Sequence, residues 1–282
     1  MTTFTVACVQ TNSGREIEPN IEAASELVRD ARAQGADLIT LPENVTMLEP
    51  KGHLLRQKAS PVDADGNGHP ALDAFRELAA ETGAWLVVGS LMVKLAGDAD
   101  MVANRSYLLD GKGAINAWYD KIHMFDVDLG GGESYRESAV YEPGDRAVVA
   151  PTPWGNLGMT VCYDVRFAAL YRALAQAGAD FLTVPAAFTR TTGKAHWHVL
   201  LRARAIETGC FVFAPAQCGT HAEGRETFGH SLIIDPWGEV LEDGGEDVGI
   251  TMAEIDPAKV ADARRRVPSL DHGRDIKAPS KP

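Results

Sequence analysis

Residues 33–42 read Ala33-Gln34-Gly35-Ala36-Asp37-Leu38-Ile39-Thr40-Leu41-Pro42, which is typical of a helix end, a tight turn and a buried strand. Gly35 is the residue type that a left-handed helix C-cap favours. The apolar run after it is short and ends at a proline, as buried strands often do. The same features return at Ala175-Gln176-Ala177-Gly178-Ala179-Asp180-Phe181-Leu182-Thr183-Val184-Pro185. The chain thus contains two similar stretches in which a helix is followed by a buried strand, and this pattern indicates an α/β protein.

Two interpretations of this repetition stay open. Such turn residues are common, so two helix-to-strand turns can carry similar sequences independently. Alternatively, the fold is internally pseudo-symmetric and contains two comparable sheets. In either case both strands end at the carboxyl edge of a sheet, where α/β proteins place their ligands.

The alternation of strands and helices extends along most of the chain. Strands are predicted at residues 5–10, 37–41, 85–92, 106–109, 114–118, 157–161, 181–184, 211–214, 231–234 and 249–255. Helices are predicted from Pro19 to about residue 34 and at residues 70–82, 165–177 and 195–208. No composition break divides the chain, so we expect one domain over residues 1–268 and a polar tail over residues 269–282.

The bulk composition excludes several classes of protein. The 282 residues are 45% hydrophobic and carry a formal net charge of −12, which argues against a nucleic-acid partner because phosphate binding needs a basic surface. The N-terminus lacks a signal-peptide pattern and no apolar run suits a membrane span. Four scattered cysteines are too few for a disulfide framework. We expect a reduced, cytoplasmic protein that contacts neither membrane nor nucleic acid.

Cys162 lies where the strand at residues 157–161 meets a predicted helix. A side chain at such a turn is exposed, and the backbone N–H of Tyr163 points towards the same space. N–H groups in that position lower the pKa of a thiol and can bind an oxyanion. A lone cysteine is more often a small core residue, so both interpretations stay open. The core interpretation is kept for the other cysteines, Cys8, Cys210 and Cys218.

Two ionisable residues also lie in apolar surroundings. Glu43 follows a buried strand, where poor solvation raises the pKa of a carboxyl as a general base requires; its alternative is a structural carboxylate that caps a turn. Lys121 lies among Trp118, Ile122 and Phe125. It either extends along apolar surface into water or is buried with a carboxylate partner, where it can stabilise negative charge.

Three segments together resemble the signature segments of the nitrilase (carbon–nitrogen hydrolase) superfamily. They occur in the superfamily's order and at comparable separations: Leu41-Pro42-Glu43, Tyr119-Asp120-Lys121-Ile122-His123 and Val161-Cys162-Tyr163-Asp164-Val165-Arg166-Phe167. Residues 185–188, 192–197 and 201–207 are similar to the Nit branch, which holds the ω-amidases and the deaminated-glutathione amidases. Residues 204–208 and 216–219 lean towards the latter.

The resemblance implies a mixed α/β fold, a four-layer α-β-β-α sandwich that forms a homodimer through one helical face. It also implies a Glu-Lys-Cys triad with Glu43 as general base, Lys121 as oxyanion stabiliser and Cys162 as nucleophile. Glu137 matches an additional active-site glutamate, and the backbone N–H of Tyr163 would complete the oxyanion site. The residues expected to bind substrate are His123, Arg166, Phe188, Arg190 and Thr192. No metal or organic cofactor is implied.

The implied reaction is hydrolysis of a small amide by water through a thioester on Cys162. Deaminated glutathione is the first candidate substrate and α-ketoglutaramate, the substrate of an ω-amidase, the second. Both carry a carboxylate, which Arg166 or Arg190 could pair bidentately; Arg166 could equally serve a structural ion pair. The family usually has Pro-Glu or Ala-Glu where this chain has Ala168-Ala169, which puts part of the dimer contact in doubt.

Two rival functions remain. The same three residues serve nitrilases and N-carbamoyl hydrolases, so the substrate class depends on the pocket. A scaffold protein could also retain the fold without activity. A pure scaffold has no need of a buried base, cation and thiol, so the sequence favours an enzyme.

Overall fold

The computed structural model describes residues 2–63, 66–95 and 101–275, which form two large β-sheets flanked by helices. The helices described are α1 (Ile17–Ala33), α2 (Gly52–Lys58), α3 (Pro70–Thr82), α4 (Ala168–Gln176), α5 (Arg190–Thr208) and α6 (Ala258–Arg266). The strands described are β1 (Phe4–Gln10), β2 (Leu38–Thr40), β3 (Ser60–Pro61), β4 (Trp85–Lys94), β5 (Val102–Leu109), β6 (Ile115–Asp120), β7 (Asp126–Asp128), β8 (Ser134–Arg136), β9 (Val148–Thr152), β10 (Gly155–Met159), β11 (Phe181–Thr183), β12 (Phe211–Ala214), β13 (Cys218–Thr220), β14 (Glu226–Phe228), β15 (Leu232–Ile234), β16 (Val240–Asp243) and β17 (Gly249–Ile255).

Apart from β3, the two large sheets have the same order of parallel and antiparallel strand pairings. The first runs β17-β1-β2-β4-β5-β6, with β3 beside β4, and the second runs β9-β10-β11-β12-β15-β16. In each, three parallel strands are flanked by one antiparallel strand on one side and two on the other. The repeated sequence places β2 and β11 at equivalent positions. The pseudo-symmetric interpretation of the repeat is therefore correct.

Strand side chains alternate between two apolar layers. In β1, Val6 and Cys8 pack into the cluster that also contains Leu157, Phe181 and other residues of the second sheet. Ala7 and Val9 point the other way, into a cluster with the helices α1 and α3. Successive residues of a strand face opposite sides, so one strand serves both layers. The helices α4 and α5 contribute to the cluster around the second sheet. The predicted α-β-β-α sandwich is confirmed.

Helix boundaries differ from the prediction at three places. The helix α1 begins at Ile17, so Pro19 lies in its first turn, where a missing N–H breaks no intrahelical hydrogen bond. The predicted helix from Val165 begins at Ala168, because a 3₁₀ turn occupies Cys162–Arg166. The helix α5 begins at Arg190, five residues before the prediction.

Several segments lie outside the prediction. The helices α2 and α6 and the short ribbons β7–β8 and β13–β14 have weak periodicity because they are short or half-exposed. Within the predicted tail, Leu270 packs against the core and its carbonyl accepts a hydrogen bond from Arg172 (3.1 Å); residues 276–282 lie outside the described part. Among the described helices, none combines the length and apolar composition of a membrane span.

Candidate active site

The carboxyl ends of three strands bring Glu43, Lys121 and Cys162 together. Glu43 follows β2, Lys121 follows β6 and Cys162 follows β10. The backbone at Cys162 has a φ of +50°, a left-handed conformation that non-glycine residues seldom adopt. Its N–H donates to the carbonyl of Pro185 (2.9 Å), which ties the turn to the chain that leaves β11. The sharp turn aims the thiol into a cavity at this edge of the sandwich.

Lys121 is buried between two carboxylates. Its Nζ lies 2.9 Å from Glu43 Oε1 and 2.8 and 2.9 Å from the two oxygens of Glu137. The side chain is 2% exposed, so the interpretation in which it extends into water is wrong. Glu43 Oε2 accepts a hydrogen bond from the N–H of Ala187 (2.9 Å), which follows β11. The two halves of the pseudo-symmetric fold thus meet at the carboxylate of Glu43.

The network fixes the charge state of its members. Burial opposes ionisation of Glu43, but Lys121 and the hydrogen bonds that the carboxylate accepts outweigh it and lower the pKa of Glu43. Burial also opposes the charge on Lys121, yet Glu137 and Glu43 raise its pKa well above the ordinary value. Burial and the neighbouring Glu43 raise the pKa of the Cys162 thiol. In the resting site Glu43 is therefore a carboxylate, Lys121 an ammonium and Cys162 a neutral thiol.

A cavity of about 770 Å³ opens onto these four residues. Its lining includes Glu43, Lys121, Glu137 and Cys162, together with Tyr163. This volume lies within the range typical of small-molecule sites. The thiol of Cys162 belongs to this lining, whereas Cys8, Cys210 and Cys218 do not. Burial raises the pKa of Cys8 to about 12, as expected of an inert core thiol.

Three of the five predicted substrate-binding residues line the cavity: Phe188, Arg190 and Thr192. Thr192 Oγ1 lies 2.8 Å from the hydroxyl of Thr189. The guanidinium of Arg190 is 3.0 Å from Glu246 and 3.9 Å from Glu226. Arg190 is therefore paired with two of the protein's own exposed carboxylates.

His123 and Arg166 are not among the cavity-lining residues. The imidazole of His123 stacks on Phe167 and lies 2.7 Å from the carboxylate of Asp164. Asp164 also accepts a hydrogen bond from the N–H of Val161 (2.8 Å), so this group holds the turn that carries Cys162. The prediction that His123 lines the pocket is wrong because its ring is engaged with that turn.

Arg166 packs against two residues that line the cavity. Its guanidinium lies over the rings of Tyr163 and Phe188, 5.7 and 5.3 Å from their centroids. It also donates to Nδ1 of His196 (3.3 Å). Among the described residues it forms no ion pair, so the structural salt bridge that was the alternative for Arg166 is absent; the pairing of Arg166 with a substrate carboxylate stays a prediction.

Two site residues were missed from the sequence. Asn104, in β5, donates from Nδ2 to Glu43 Oε1 (2.9 Å) and to Glu137 Oε1 (3.3 Å). Asn104 precedes the strand predicted at residues 106–109, and its burial, which requires hydrogen-bond partners for the amide, is visible only in the structure. Arg225 lines the cavity from the loop between β13 and β14 and carried no recognisable signal, because its contacts depend on the folding of distant segments.

A second group of polar side chains lies outside this cavity. His198, His230 and Asp243 bring three metal-ligand-type atoms within 4.8 Å of one another. Asp243 lies 3.0 Å from Nε2 of His198 and 2.8 Å from Nδ1 of His230. Because the carboxylate is hydrogen-bonded to both rings, the group is self-satisfied and needs no ion to explain it.

Comparisons with known proteins place the chain in a family. Residues 5–265 match the carbon-nitrogen hydrolase family model. The chain is 41% identical to a deaminated glutathione amidase of Synechocystis sp. over 274 residues, 96% of this chain and 98% of that one. It is 40% identical to the human deaminated glutathione amidase, with 95% and 82% covered.

Solved structures agree with this result. The NitFhit protein of C. elegans has a TM-score of 0.88 and 34% identity, and the match covers 96% of this chain and 65% of that longer one. Nit3 of Saccharomyces cerevisiae, a member of branch 10 of the nitrilase superfamily, has a TM-score of 0.85 and 26% identity, with 94% of both chains covered. The chain belongs to the carbon-nitrogen hydrolase family.

Proposed function

We propose that this protein is an amidase that cleaves the C–N bond of a small carboxylate-bearing 2-oxo acid amide, deaminated glutathione first. The supporting observation is the buried ammonium of Lys121 between Glu43 and Glu137, with Cys162 in the same cavity. A base, a cation and a thiol that share one cavity meet the needs of acyl transfer through a thioester. The names of the relatives above favour the same substrate.

The first half-reaction forms the thioester. Because the Cys162 thiol is neutral at rest, Glu43 accepts its proton as Sγ attacks the amide carbonyl carbon. The carbonyl π electrons move to oxygen, and this oxyanion receives hydrogen bonds from Lys121 Nζ and the N–H of Tyr163. The oxyanion collapses, the C–N bond breaks, and Glu43 returns its proton to the departing nitrogen.

The second half-reaction uses the same groups in reverse. Glu43 accepts a proton from water as the water oxygen attacks the thioester carbonyl, and Lys121 again stabilises the oxyanion. Breaking the C–S bond releases the acid, and the proton on Glu43 returns to sulfur. Glu137 does not move a proton; it holds the ammonium of Lys121 in place through two contacts.

An ω-amidase that acts on α-ketoglutaramate is the second candidate function. It uses the same residues and differs only in the leaving group, ammonia in place of a dipeptide amine. Nitrilase and N-carbamoyl hydrolase activities share the triad as well. Substrate and products distinguish these activities. A nitrilase releases ammonia from a nitrile instead of an amide, and an N-carbamoyl hydrolase releases CO₂ as well as ammonia.

Product analysis with variants tests the proposal. We expect the wild type to cleave deaminated glutathione and α-ketoglutaramate, and Cys162→Ala to lose turnover. Cys218→Ser is the matched control, since this cysteine does not line the cavity, and it should retain activity. A Cys162→Ala variant that kept near-full activity would refute the nucleophile. A wild type that cleaves none of the amides, and whose Cys162 resists iodoacetamide, would favour the scaffold function.

The proposal includes a homodimer in the cytoplasm. The helix α5 exposes Val199 and Ile206, which are 68% and 54% accessible, and apolar helix surfaces of this kind suit a protein interface. The four cysteines are free thiols, as in a reducing compartment. Light scattering should give twice the chain mass for the wild type and the single chain mass for Val199→Glu/Ile206→Glu. A wild-type monomer would contradict the dimer.

A further inference from the structure

The cavity contains four cationic side chains, and their partners differ. Lys121 is committed to Glu43 and Glu137, and Arg190 is paired with Glu246 and Glu226. Arg136 is exposed at the rim. Arg225 is half-buried and, within the described part of the chain, has no carboxylate in ion-pair contact. A substrate carboxylate that enters this cavity therefore meets one half-buried positive charge that the protein has not already neutralised.

The guanidinium of Arg225 is oriented but incompletely satisfied. Its Nη2 donates to the carbonyl oxygen of Ala187 (3.2 Å), and its plane lies 5.3 Å from the ring centroid of Tyr135. Its Nε is buried and has no hydrogen-bond partner among the described residues. A buried donor without a partner is costly, whereas a carboxylate can accept two hydrogen bonds from one guanidinium. Arg225 also lines the cavity, so its guanidinium is a candidate partner for an anion that enters it.

Ala187 fixes the position of Arg225 relative to the reacting groups. The carbonyl of Ala187 accepts from Arg225, while its N–H donates to Glu43 Oε2. Ala187 thus connects the guanidinium of Arg225 to Glu43, the proposed general base. Arg225 and Cys162 line the same cavity, an arrangement that suits a short acyl chain with an anionic end.

The loop that carries Arg225 is anchored on both sides. The N–H of His221 donates to the carbonyl of Arg225 (2.7 Å), and the imidazole of His221 lies 2.9 Å from Ser13 O and 2.6 Å from Thr227 Oγ1. Glu223 pairs with Arg15 and Lys51. A preorganised cation loses less freedom when it binds an anion, which increases affinity.

We propose that Arg225 is a specificity-determining residue that pairs with the carboxylate on the acyl half of the substrate. This role rests on the amidase function proposed above. Deaminated glutathione and α-ketoglutaramate share the same five-carbon acyl chain, which ends in a carboxylate, so one cation serves both. Arg225 is then a carboxylate partner in addition to Arg166 and Arg190, the arginines expected from the sequence.

The test compares two amides that differ only in the charged end. Glutaramate carries a terminal carboxylate, and valeramide carries a methyl group in its place. We expect Arg225→Ala to lower the ratio of kcat/KM for glutaramate to that for valeramide by about 10- to 100-fold, the loss of a charge-assisted pair. Arg225→Lys should lose less, because it keeps the charge but not the bidentate geometry. Arg29→Gln, whose wild-type side chain pairs with Glu81 on the outer helices, is the matched control.

A second measurement does not depend on turnover. Glutarate binding to Cys162→Ala, followed by calorimetry, should weaken about 10- to 100-fold when Arg225→Ala is added. Equal binding by both variants would overturn the role of Arg225, as would an unchanged ratio of the two amides. If the wild type cleaves neither amide, the amidase proposal fails, and glutarate binding still decides whether Arg225 is the carboxylate receptor.

Discussion

At the scale of single residues, the site depends on how buried charges neutralise one another. The ammonium of Lys121 is buried but lies against two carboxylates, and Glu43 also accepts hydrogen bonds from Asn104 and Ala187. Removing one partner of a buried pair leaves an uncompensated charge, which is strongly destabilising. The charge state needed for catalysis is therefore maintained by the same contacts that hold the fold at this edge.

Asn104→Leu tests this coupling through the pH dependence of activity. The pKa of Glu43 is lowered in the folded protein, so its carboxylate persists below the ordinary value of 4.5 and is lost only as the pH falls further. Without the Asn104 hydrogen bond the pKa of Glu43 should rise. We expect the acidic limb of kcat/KM to move to higher pH and the plateau to fall about tenfold. An acidic limb unchanged from the wild type would show that Asn104 does not tune Glu43.

Strand ends and turns marked Glu43, Lys121 and Cys162 only as candidates. The resemblance of three segments to one family joined them into a triad and also supplied Glu137, which contacts Lys121. Asn104 and Arg225 have their partners far along the chain, and His123 was misplaced because side-chain orientation depends on packing. The hydrophobic periodicity of a segment contains no information about distant partners or side-chain orientation.

At the scale of elements, the strand ends that carry the site are positioned by close backbone contact. Gly89, in β4, packs against the chain that leaves β2, and a Cβ at this position would overlap the carbonyl oxygens of Leu41 and Pro42. The pairing of β4 with β5 shifts register between Val88 and Leu91, so the strand is irregular at this point. The segment that leads to Glu43 is therefore held by a glycine on the neighbouring strand.

Gly89→Ala should consequently damage both stability and activity. Overpacking of this kind typically costs about 1–3 kcal/mol, and the displaced backbone would carry Glu43 away from Lys121. We expect a lower free energy of unfolding by denaturant and a fall in kcat/KM of tenfold or more. Gly249→Ala, in β17 with open space around the added carbon, is the control and should change little. Equal behaviour of the two variants would contradict the role assigned to Gly89.

The boundaries of α3 could be predicted from the sequence, whereas the start of α4 could not. The helix α3 was predicted at its observed bounds, because its apolar face, its proline start and its glycine stop agree. The turn at Cys162–Arg166 shifted the start of α4, since the buried carboxylate of Asp164 binds the N–H of Val161 and favours a 3₁₀ turn. This capping depends on Tyr119 and His123, which bury the carboxylate of Asp164. Both residues lie in another segment of the chain, so the sequence around Asp164 cannot predict the turn.

At the scale of the whole molecule, two equivalent sheets share one apolar interior. The repeat at residues 33–42 and 175–185 hinted at this symmetry, but only strand pairing established it, because pairing joins segments such as β1 and β17 from opposite ends of the chain. The interior includes weak acids that are neutral when folded. Burial raises the pKa of Cys8 and Tyr107 to about 12 and that of Cys218 to about 11.

These raised pKa values predict loss of stability in alkaline solution. Above the ordinary values of 9.0 for Cys8 and 10.0 for Tyr107, the unfolded chain releases protons that the folded chain keeps. Unfolding then becomes more favourable by up to about 1.4 kcal/mol per pH unit and group. Calorimetry should show Tm falling from pH 9 to pH 11, with a shallower slope for Cys8→Ala. A Tm independent of pH over this range would contradict the prediction.

Trapping the covalent intermediate decides whether Cys162 is the nucleophile. Wild-type protein mixed with α-ketoglutaramate and quenched in acid within one turnover should carry a single acyl group, and peptide mapping by mass spectrometry should locate it on Cys162. Glu43→Gln should form the adduct at least 100-fold more slowly, a typical loss for a general base. Turnover without an acyl group at any time, or an acyl group on Cys8, Cys210 or Cys218, would contradict the account.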